Sequence, residues 1–330
     1  MDTISKHRYT ILIVTWNGDV ILRDCLDSIV SAIGATAPCV VVDNANLDST
    51  RKLCADYPFV KYVPADRNLG FAGGNNLGLR HCETEYVILL NNDTVIHEDS
   101  FSPLVNFMDS HPNAGVVQGT MKLPRCGNTF DDCGTMLRSI GIQRHRFFRE
   151  PYRDDLEPTR VFAAKGAFMM VRRSAIAAAG GFLFYDDFKS YYEETDFCHR
   201  VWLSGNEVWF VPTPPIDHLL GATSSRFANA AIWRQYLGNI FFSYLVNFGW
   251  HGKFRILLPF TFVYLGFLGL NLVKCRFAHF LAALKVPFDI FHRRHDIRHA
   301  RKTVNGFRAL SDRKLLTAVI SHGRRNSTPV

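Results

Sequence analysis

Asp93 stands just past an uninterrupted apolar run, Tyr86–Leu90, in the stretch YVILLNNDTVIHED. A carboxylate there can hold a hard divalent cation against a nucleotide diphosphate, because open α/β sheets bind ligands beyond the carboxyl ends of their strands. An Asx turn that only closes the strand would use the same Asn91-Asn92-Asp93 residues. Glu193, Glu194 and Asp196 form a second candidate group. Helical spacing from Glu193 onward, with Phe197, Val201 and Trp202 apolar, puts all three acids in one first turn. A carboxylate crowded by others has a raised pKa, which suits base work near neutrality; the helix dipole alone also favours acids there. Three more segments offer polar groups at strand ends: Thr15-Trp16-Asn17, Asp43-Asn44, and the glycine-rich Asn68–Asn75 with Gly70, Phe71 and Ala72. A carboxylate such as Asp43 accepts hydrogen bonds from a ring N–H or from ribose hydroxyls. Glycines let backbone approach a diphosphate, and a helix starting at Ala72 would favour an anion at its N-terminus.

The elements that must position these residues follow from periodicity. Thr10–Thr15 and Cys39–Val42 are β-branched or apolar strands, and Val60–Val63 is a third. Asp19–Ala32 carries Ile21, Leu22, Cys25, Leu26, Ile29 and Val30 on one helical face, and Ser49–Ala55 and Ala72–His81 read as further helices. The first 95 residues thus alternate strand and helix, which predicts an α/β fold with a right-handed, doubly wound, mostly parallel sheet. Further on, the spacing predicts a helix over Glu98–Ser110, strands over Gly115–Met121, Val161–Arg172 and Glu207–Val211, and a long loop, with a hairpin in it, over 122–160. Neither G-x-G-x-x-G nor G-x-x-x-x-G-K-[ST] occurs, so dinucleotide and P-loop readings fail.

The chain has 330 residues, 47% of them hydrophobic, and a formal charge of +8. That charge is uneven: residues 251–330 hold 15 Lys and Arg against 3 acids, leaving the first 250 at −4. Eight cysteines without a C-x-x-C pair argue for thiols in a reducing compartment. Residues 1–10 are polar, which predicts no signal peptide and a cytosolic active face.

The runs TWNG, VVVDNANLDST, NLGFAGGNNLGL and VILLNNDT together resemble the family 2 glycosyltransferases of GT-A fold, in their rhamnosyltransferase-like branch. The resemblance covers roughly residues 9–225. It implies inverting transfer from a nucleotide-activated sugar with Mg²⁺ or Mn²⁺. The family's D-x-D metal motif has Asn91 in its first place, leaving Asp93 as its one carboxylate. Gly166-Ala167 matches a small pair lying beside the donor sugar. EETDFCHR matches the family's E-D-x-D-x-x-x-R with Glu194 for the first Asp; by that match Glu194 is the base, with Asp196 and Glu193 orienting it or the acceptor, and Asp196 stays open as the alternative base. Asp217–Ser224 is similar to H-x-x-G-x-S, whose histidine, here His218, reaches the metal.

The last hundred residues change character. Ile256–Val273 carries no charge over 18 residues, at the lower edge of a spanning length and flanked by Lys253, Arg255, Lys274 and Arg276. A single span would export the basic residues that follow, so an in-plane or re-entrant hairpin continuing through Phe277–Phe291 is preferred, with Arg293–Lys302 on anionic membrane lipids. A buried core helix followed by a solvated basic one is the plainer alternative. No nucleic-acid module accompanies the basic tail. The expectation is a GT-A domain over 1–229 (donor half about 1–120, acceptor half about 121–229) and a membrane-association region over 230–330. It would act at the cytoplasmic face of a bacterial inner membrane, taking rhamnose from dTDP-rhamnose to a polyprenyl-linked saccharide acceptor. A UDP-hexose donor, nucleotidyl transfer, a catalytically impaired scaffold and a homo-oligomer stay open.

Overall fold

The computed structural model describes residues 7–219 and 229–325, with side chains through 320. Eight strands form the central sheet in the order β3-β2-β1-β4-β12-β6-β13-β11. The first half is built as expected: β1 (Tyr9–Thr15), α1 (Asp19–Ile33), β2 (Cys39–Asp43), α2 (Asp48–Ala55), β3 (Val60–Pro64), α3 (Gly70–Leu79) and β4 (Tyr86–Asn91) wind a parallel sheet. Successive residues of the apolar runs split between its faces. Leu12, Val87 and Leu89 enter the core on the α3 side, whereas Ile11, Ile13, Ile88 and Leu90 enter the core on the α1 side. Burial on both faces is why these strands read as continuous hydrophobic runs.

After the two-residue β5 (Thr94–Val95) and α4 (Ser102–Ser110) the winding becomes mixed. β6 (Ala114–Gln118) and β7 (Met121–Leu123) replace the single strand expected over Gly115–Met121. The break falls at Gly119, where a Cβ would collide with the Phe168 ring, and there the chain leaves the large sheet for a small one. The small sheet has the order β5-β14-β7-β8, with β8 at Thr129–Asp132 and β14 at Ile216–His218. β9 (Thr135–Leu137) and β10 (Gln143–His145) pair as a hairpin. Residues 122–160 are therefore more ordered than the expected long loop; strands of three or four residues are too short to show a period. β11 (Thr159–Arg160) edges the large sheet, β12 (Phe168–Arg172) runs antiparallel between β4 and β6, and α5 (Arg173–Ala178), α6 (Glu193–Leu203) and β13 (Glu207–Phe210) complete it. The helix expected over Glu98–Ser110 starts later because Asp99 Oδ1 accepts from the Phe101 and Ser102 amides and opens the turn at that point.

The tail is helical throughout: α7 (Ala230–Asn247), α8 (Trp250–Val273), α9 (Phe277–Leu284), α10 (Val286–His292), α11 (Arg294–Phe307) and α12 (Asp312–Arg325). Its inner residues, among them Leu237, Ile240, Phe242, Tyr244 and Phe260, belong to the same core as α6 and β12. Six of the eight cysteines are buried, and all eight are free thiols.

Helix α6 is buried along almost its whole length. His199, on this helix, packs between Phe162 and Phe248, with ring centroids 5.3 and 4.6 Å away, and neither ring nitrogen has a hydrogen-bond partner among the described residues. Burial, helped by Arg308 and Arg200, pushes its pKa well below the usual value. In the unfolded chain the same imidazole takes a proton near its ordinary pKa of about 6.5. The depressed folded pKa therefore contributes stability above about pH 6.5 that is lost as the pH falls below it, by up to roughly 1.4 kcal/mol per pH unit. Glu193 and Glu194, whose pKa values are raised, act with the opposite sign, so the comparison of variants isolates the histidine. His199→Phe is expected to lose less thermal midpoint than the wild type between pH 7.5 and 5.5, read by circular dichroism; equal losses would show that His199 is protonated in the fold.

Candidate functional site

The strand ends expected to carry ligand contacts do converge. β1 and β2 place Thr15 opposite Asp43, and β1 and β4 place Val14 opposite Asn91. Asn92 Nδ2 donates to Thr15 Oγ1 at 3.0 Å, and the Asn91 amide donates to the Ala167 carbonyl at 3.0 Å. Trp16 and Asn17 lie exposed above this line.

Several residues expected to touch a donor are engaged with protein, and Asp43, Asn44 and Asn75 among them are buried. Asp43 is fully buried; its carboxylate accepts from the Ala45 and Leu47 amides at 2.9 and 2.8 Å and from Tyr62 OH at 3.1 Å. Asn44 accepts from the Leu69 amide and donates to the Gly70 carbonyl. Asn68 Oδ1 accepts from the Gly70 amide, and buried Asn75 donates to the Phe71 carbonyl. Asp43 thus fixes the loop before α2, Asn44 and Asn68 fix the loop before α3, and Asn75 bonds within α3, where Ala72 is also buried. Gly70 has φ +72°, and a Cβ there would stand 2.6 Å from the Lys189 carbonyl oxygen, so only glycine fits.

A second group lies around the small sheet. β14 pairs with β5 so that His218 faces Thr94, next to Asp93. His218 Nε2 is 3.3 Å from Asp93 Oδ1, and its Nδ1 is 2.8 Å from Asp131 Oδ2. Asp131 in turn accepts from Lys165 Nζ at 2.6 and 2.7 Å. Burial opposes charge on Asp131, but the Lys165 ammonium and His218 hold its carboxyl below the ordinary range. Burial would likewise lower the His218 pKa; hydrogen bonds to Asp131 and Asp93 raise it. Asp131 and Lys165 were not singled out in the sequence. The visible signal was the acid pair in Thr129–Asp132 and a lysine directly before Gly166, and both fell in segments read as loop or strand start.

The donor set fits a divalent metal. Asp131 binds the Nδ1 side of His218, which turns Nε2 toward Asp93, the orientation that a metal-ligating imidazole needs. One carboxylate and one imidazole leave most coordination positions open for phosphate oxygens and water. Among the described residues no three His, Cys, Asp or Glu side chains gather into a closed cage. Of the segment resembling H-x-x-G-x-S, Leu220–Ser224 lie outside the described residues.

The acids of α6 complete the site. Gly166 lies between the Phe71 ring, 3.1 Å from where its Cβ would be, and the Glu194 Cβ, 3.8 Å from that point. The donor loop, the small pair Gly166-Ala167 and Glu194 therefore meet. Burial raises the pKa of Glu193 well above normal, with Glu194 adding repulsion, and burial raises Glu194 too. Oε2 of each is buried without a hydrogen-bond partner among the described residues. Asp196 differs: it is buried and accepts from Arg200 Nε at 2.9 Å and Asn247 Nδ2 at 2.7 Å. Near Glu194, Asp132 accepts from or pairs with His145 Nδ1 at 2.7 Å, a dyad on β8 and β10 that the sequence did not announce.

If Asp131 orients His218, then Asp131→Asn should weaken Mn²⁺ binding to the full chain roughly 10–100-fold, the usual cost of losing such a partner. Calorimetric titration with Mn²⁺ reads this directly, and the far-ultraviolet spectrum checks the fold. Unchanged affinity would mean that His218 does not serve the metal.

Known proteins bear on the fold and the family. A protein from Haloferax volcanii described as a low-salt glycan biosynthesis hexosyltransferase is 29% identical over 200 residues, which cover 58% of this chain and 61% of that protein. The chain thus spans about three fifths of that relative's length. The Mycobacterium tuberculosis N-acetylglucosaminyl-diphospho-decaprenol L-rhamnosyltransferase is 24% identical over 240 residues, 66% of this chain and 77% of that one. Among solved structures, a mannosyltransferase from Pyrobaculum calidifontis in complex with GDP-Man and Mn²⁺ superposes with a TM-score of 0.56 at 16% identity, over 97% of this chain and 88% of that one. GalNAc-T7 with UDP, GalNAc and Mn²⁺ gives 0.55 at 16% identity, over 72% and 47%. The fold is GT-A, and the model of the family described as glycosyl transferase family 2 matches residues 10–179, a little over half of the chain. The chain is a member of glycosyltransferase family 2.

Proposed function

We propose that the protein is an inverting, metal-dependent glycosyltransferase that takes a sugar from a nucleotide diphosphate. The observation that carries this reading is the buried Oε2 of Glu194, without a hydrogen-bond partner among the described residues and set beside Gly166. Asp93 and His218 would hold Mg²⁺ or Mn²⁺, which when bound offsets charge on the diphosphate. Trp16, Asn17, Asn92 and Phe71 line the donor side. Glu194 accepts the proton of an acceptor hydroxyl as that oxygen bonds to the anomeric carbon and the bond to the nucleotide diphosphate breaks. Its raised pKa makes it a stronger base than an exposed carboxylate. Asp196, tied to Arg200 and Asn247, supports the helix that carries Glu194.

The donor we infer is dTDP-rhamnose and the acceptor a polyprenyl-linked saccharide, supported by the named activity of the mycobacterial relative; a UDP-hexose remains the competing donor. Membrane association is supported by the tail. Helix α8 is long and apolar enough to cross a membrane, yet Phe254, Phe262 and Val273 on it are 70, 66 and 81% exposed, as are Phe288 and Phe291 of α10 at 65 and 62%. This face, with Arg294, Arg298 and Lys302 beyond it, suits in-plane docking on anionic lipids at the cytoplasmic face of an inner membrane, within the donor half, acceptor half and tail at about 1–120, 121–229 and 230–330.

Thermal unfolding with dTDP, UDP or GDP, each with and without Mn²⁺, tests the reading. One diphosphate at 100 times its Kd should stabilise by about 2.7 kcal/mol, a shift of several degrees, and only with metal. Glu194→Gln should keep that shift and lose roughly 10²–10⁴-fold in transfer. No shift with any nucleotide would favour the scaffold, and full turnover in Glu194→Gln with loss in Asp196→Asn would move the base.

A further inference from the structure

A groove of about 620 Å³ opens between the start of α7, the end of α8 and the first turn of α9. Trp233, Phe267 and Phe277 form apolar walls, and Asn271, Arg276 and His279 are the polar lining. The volume lies within the roughly 300–1,000 Å³ of small-ligand sites. Its charge is one-sided. From Ile256 to Phe288 the chain has no acidic residue, and Asp289 is bound to Arg234. Arg276 and Lys274 form no ion pair among the described residues. Close by in the chain on α8 and α9, Leu272, Val273 and Leu281 are about half exposed or more, apolar side chains of the kind proposed to meet the membrane.

A run of packed aromatic rings connects the Trp233 wall of the groove to the start of α6. Trp233 lies 5.2 Å from Phe267 and 5.9 Å from Tyr236, and Tyr236 lies 6.1 Å from Tyr192, the residue before Glu193. Tyr236 is close enough to Glu194 that, after burial, the glutamate's charge raises its pKa.

We propose that this groove binds the diphosphate and first isoprene units of a single-chain prenyl lipid carrying the acceptor saccharide. Arg276 offers a planar fork of donors to phosphate oxygens, and His279 adds a second donor. The aromatic walls take branched hydrocarbon, and the rest of the chain leaves over Val273 and Leu281 into the bilayer. A free phosphate would leave those walls unused. A two-chain phospholipid carries no acceptor sugar for the transferase.

The inference rests on the transferase reading, and its test separates the two. Full-length protein in detergent with EDTA, which keeps diphosphates from a metal, is titrated calorimetrically with farnesyl diphosphate, farnesol and inorganic diphosphate. Farnesyl diphosphate should bind at least tenfold more tightly than either fragment. Arg276→Gln and, separately, Trp233→Ala should each weaken it at least fivefold while the Mn²⁺-dependent nucleotide shift persists. Wild-type affinity in Arg276→Gln, equal binding of inorganic diphosphate, or equally effective competition by phosphatidylglycerol would overturn the proposal. Farnesyl diphosphate binding that follows the prediction, in a protein no nucleotide stabilises, would instead sink the transferase reading and leave the groove standing.

Discussion

The site depends on one costly turn. Between Phe188 and Glu193 the backbone takes positive φ at Lys189, Tyr191 and Tyr192, at 55, 71 and 78°. Lys189 sits at φ 55° and ψ −67°, and the Ser190 amide reaches the Phe188 carbonyl at 2.6 Å, the geometry of a γ-turn of the rare, strained hand. Such residues cost about 1–3 kcal/mol each and persist only where surroundings over-determine them. Here two elements do so. From one side the Ala72 amide donates to the Lys189 carbonyl at 2.9 Å. From the other, Gln235 Nε2 donates to the Phe188 and Ser190 carbonyls and Asn239 Nδ2 to the Phe188 and Tyr191 carbonyls. The turn sets the direction in which α6 starts, and so where Glu193 and Glu194 stand. Gly70 and α7 are therefore as much a part of the site as the acids.

Two electrostatic regimes meet across Gly166. On one side opposite charges alternate, Asp93, His218, Asp131, Lys165, and the neighbours of His218 and Asp131 favour the ionised form of each. On the other, Glu193 and Glu194 are neighbours of like charge in a buried place, and both resist ionisation. Pushing pKa values apart in this way would let one cleft keep the proposed cation-holding task separate from the proposed proton-accepting one. Lys165 lies next to the boundary in the chain, with its ammonium committed to Asp131.

What the sequence disclosed divides along the same physical lines. The parallel half was legible because its strands are covered on both faces and its helices carry long amphipathic periods. The acids of α6 were legible because they begin such a helix. Short strands carry no period, so β7 and β8 were passed over as loop and the expected hairpin was not placed at β9 and β10, which left Asp131, Asp132 and His145 unmarked. Residue type at a strand end indicated a contact but not its direction: Asp43, Asn44 and Asn75 are polar and in place, yet their side chains bind the loops they end. Whether a side chain serves ligand or backbone is decided by rotamer and partner, and neither is written in spacing.

The tail shows how a compositional change can mislead about mechanics. Aromatic and basic residues set 230–330 apart from the rest, but α7 shares a core with α6, and its Asn247 holds Asp196 while Tyr244 OH donates to the Gly141 carbonyl. The outer helices leave large apolar side chains exposed, a face that water does not favour. An element that is core on one side and apolar surface on the other ties the position of the catalytic turn to whatever covers that surface. The amides of Gln235 and Asn239 that hold the turn lie on the same helix as Trp233 at the groove. One helix thus carries both a wall of the groove and the amides that hold the turn before α6.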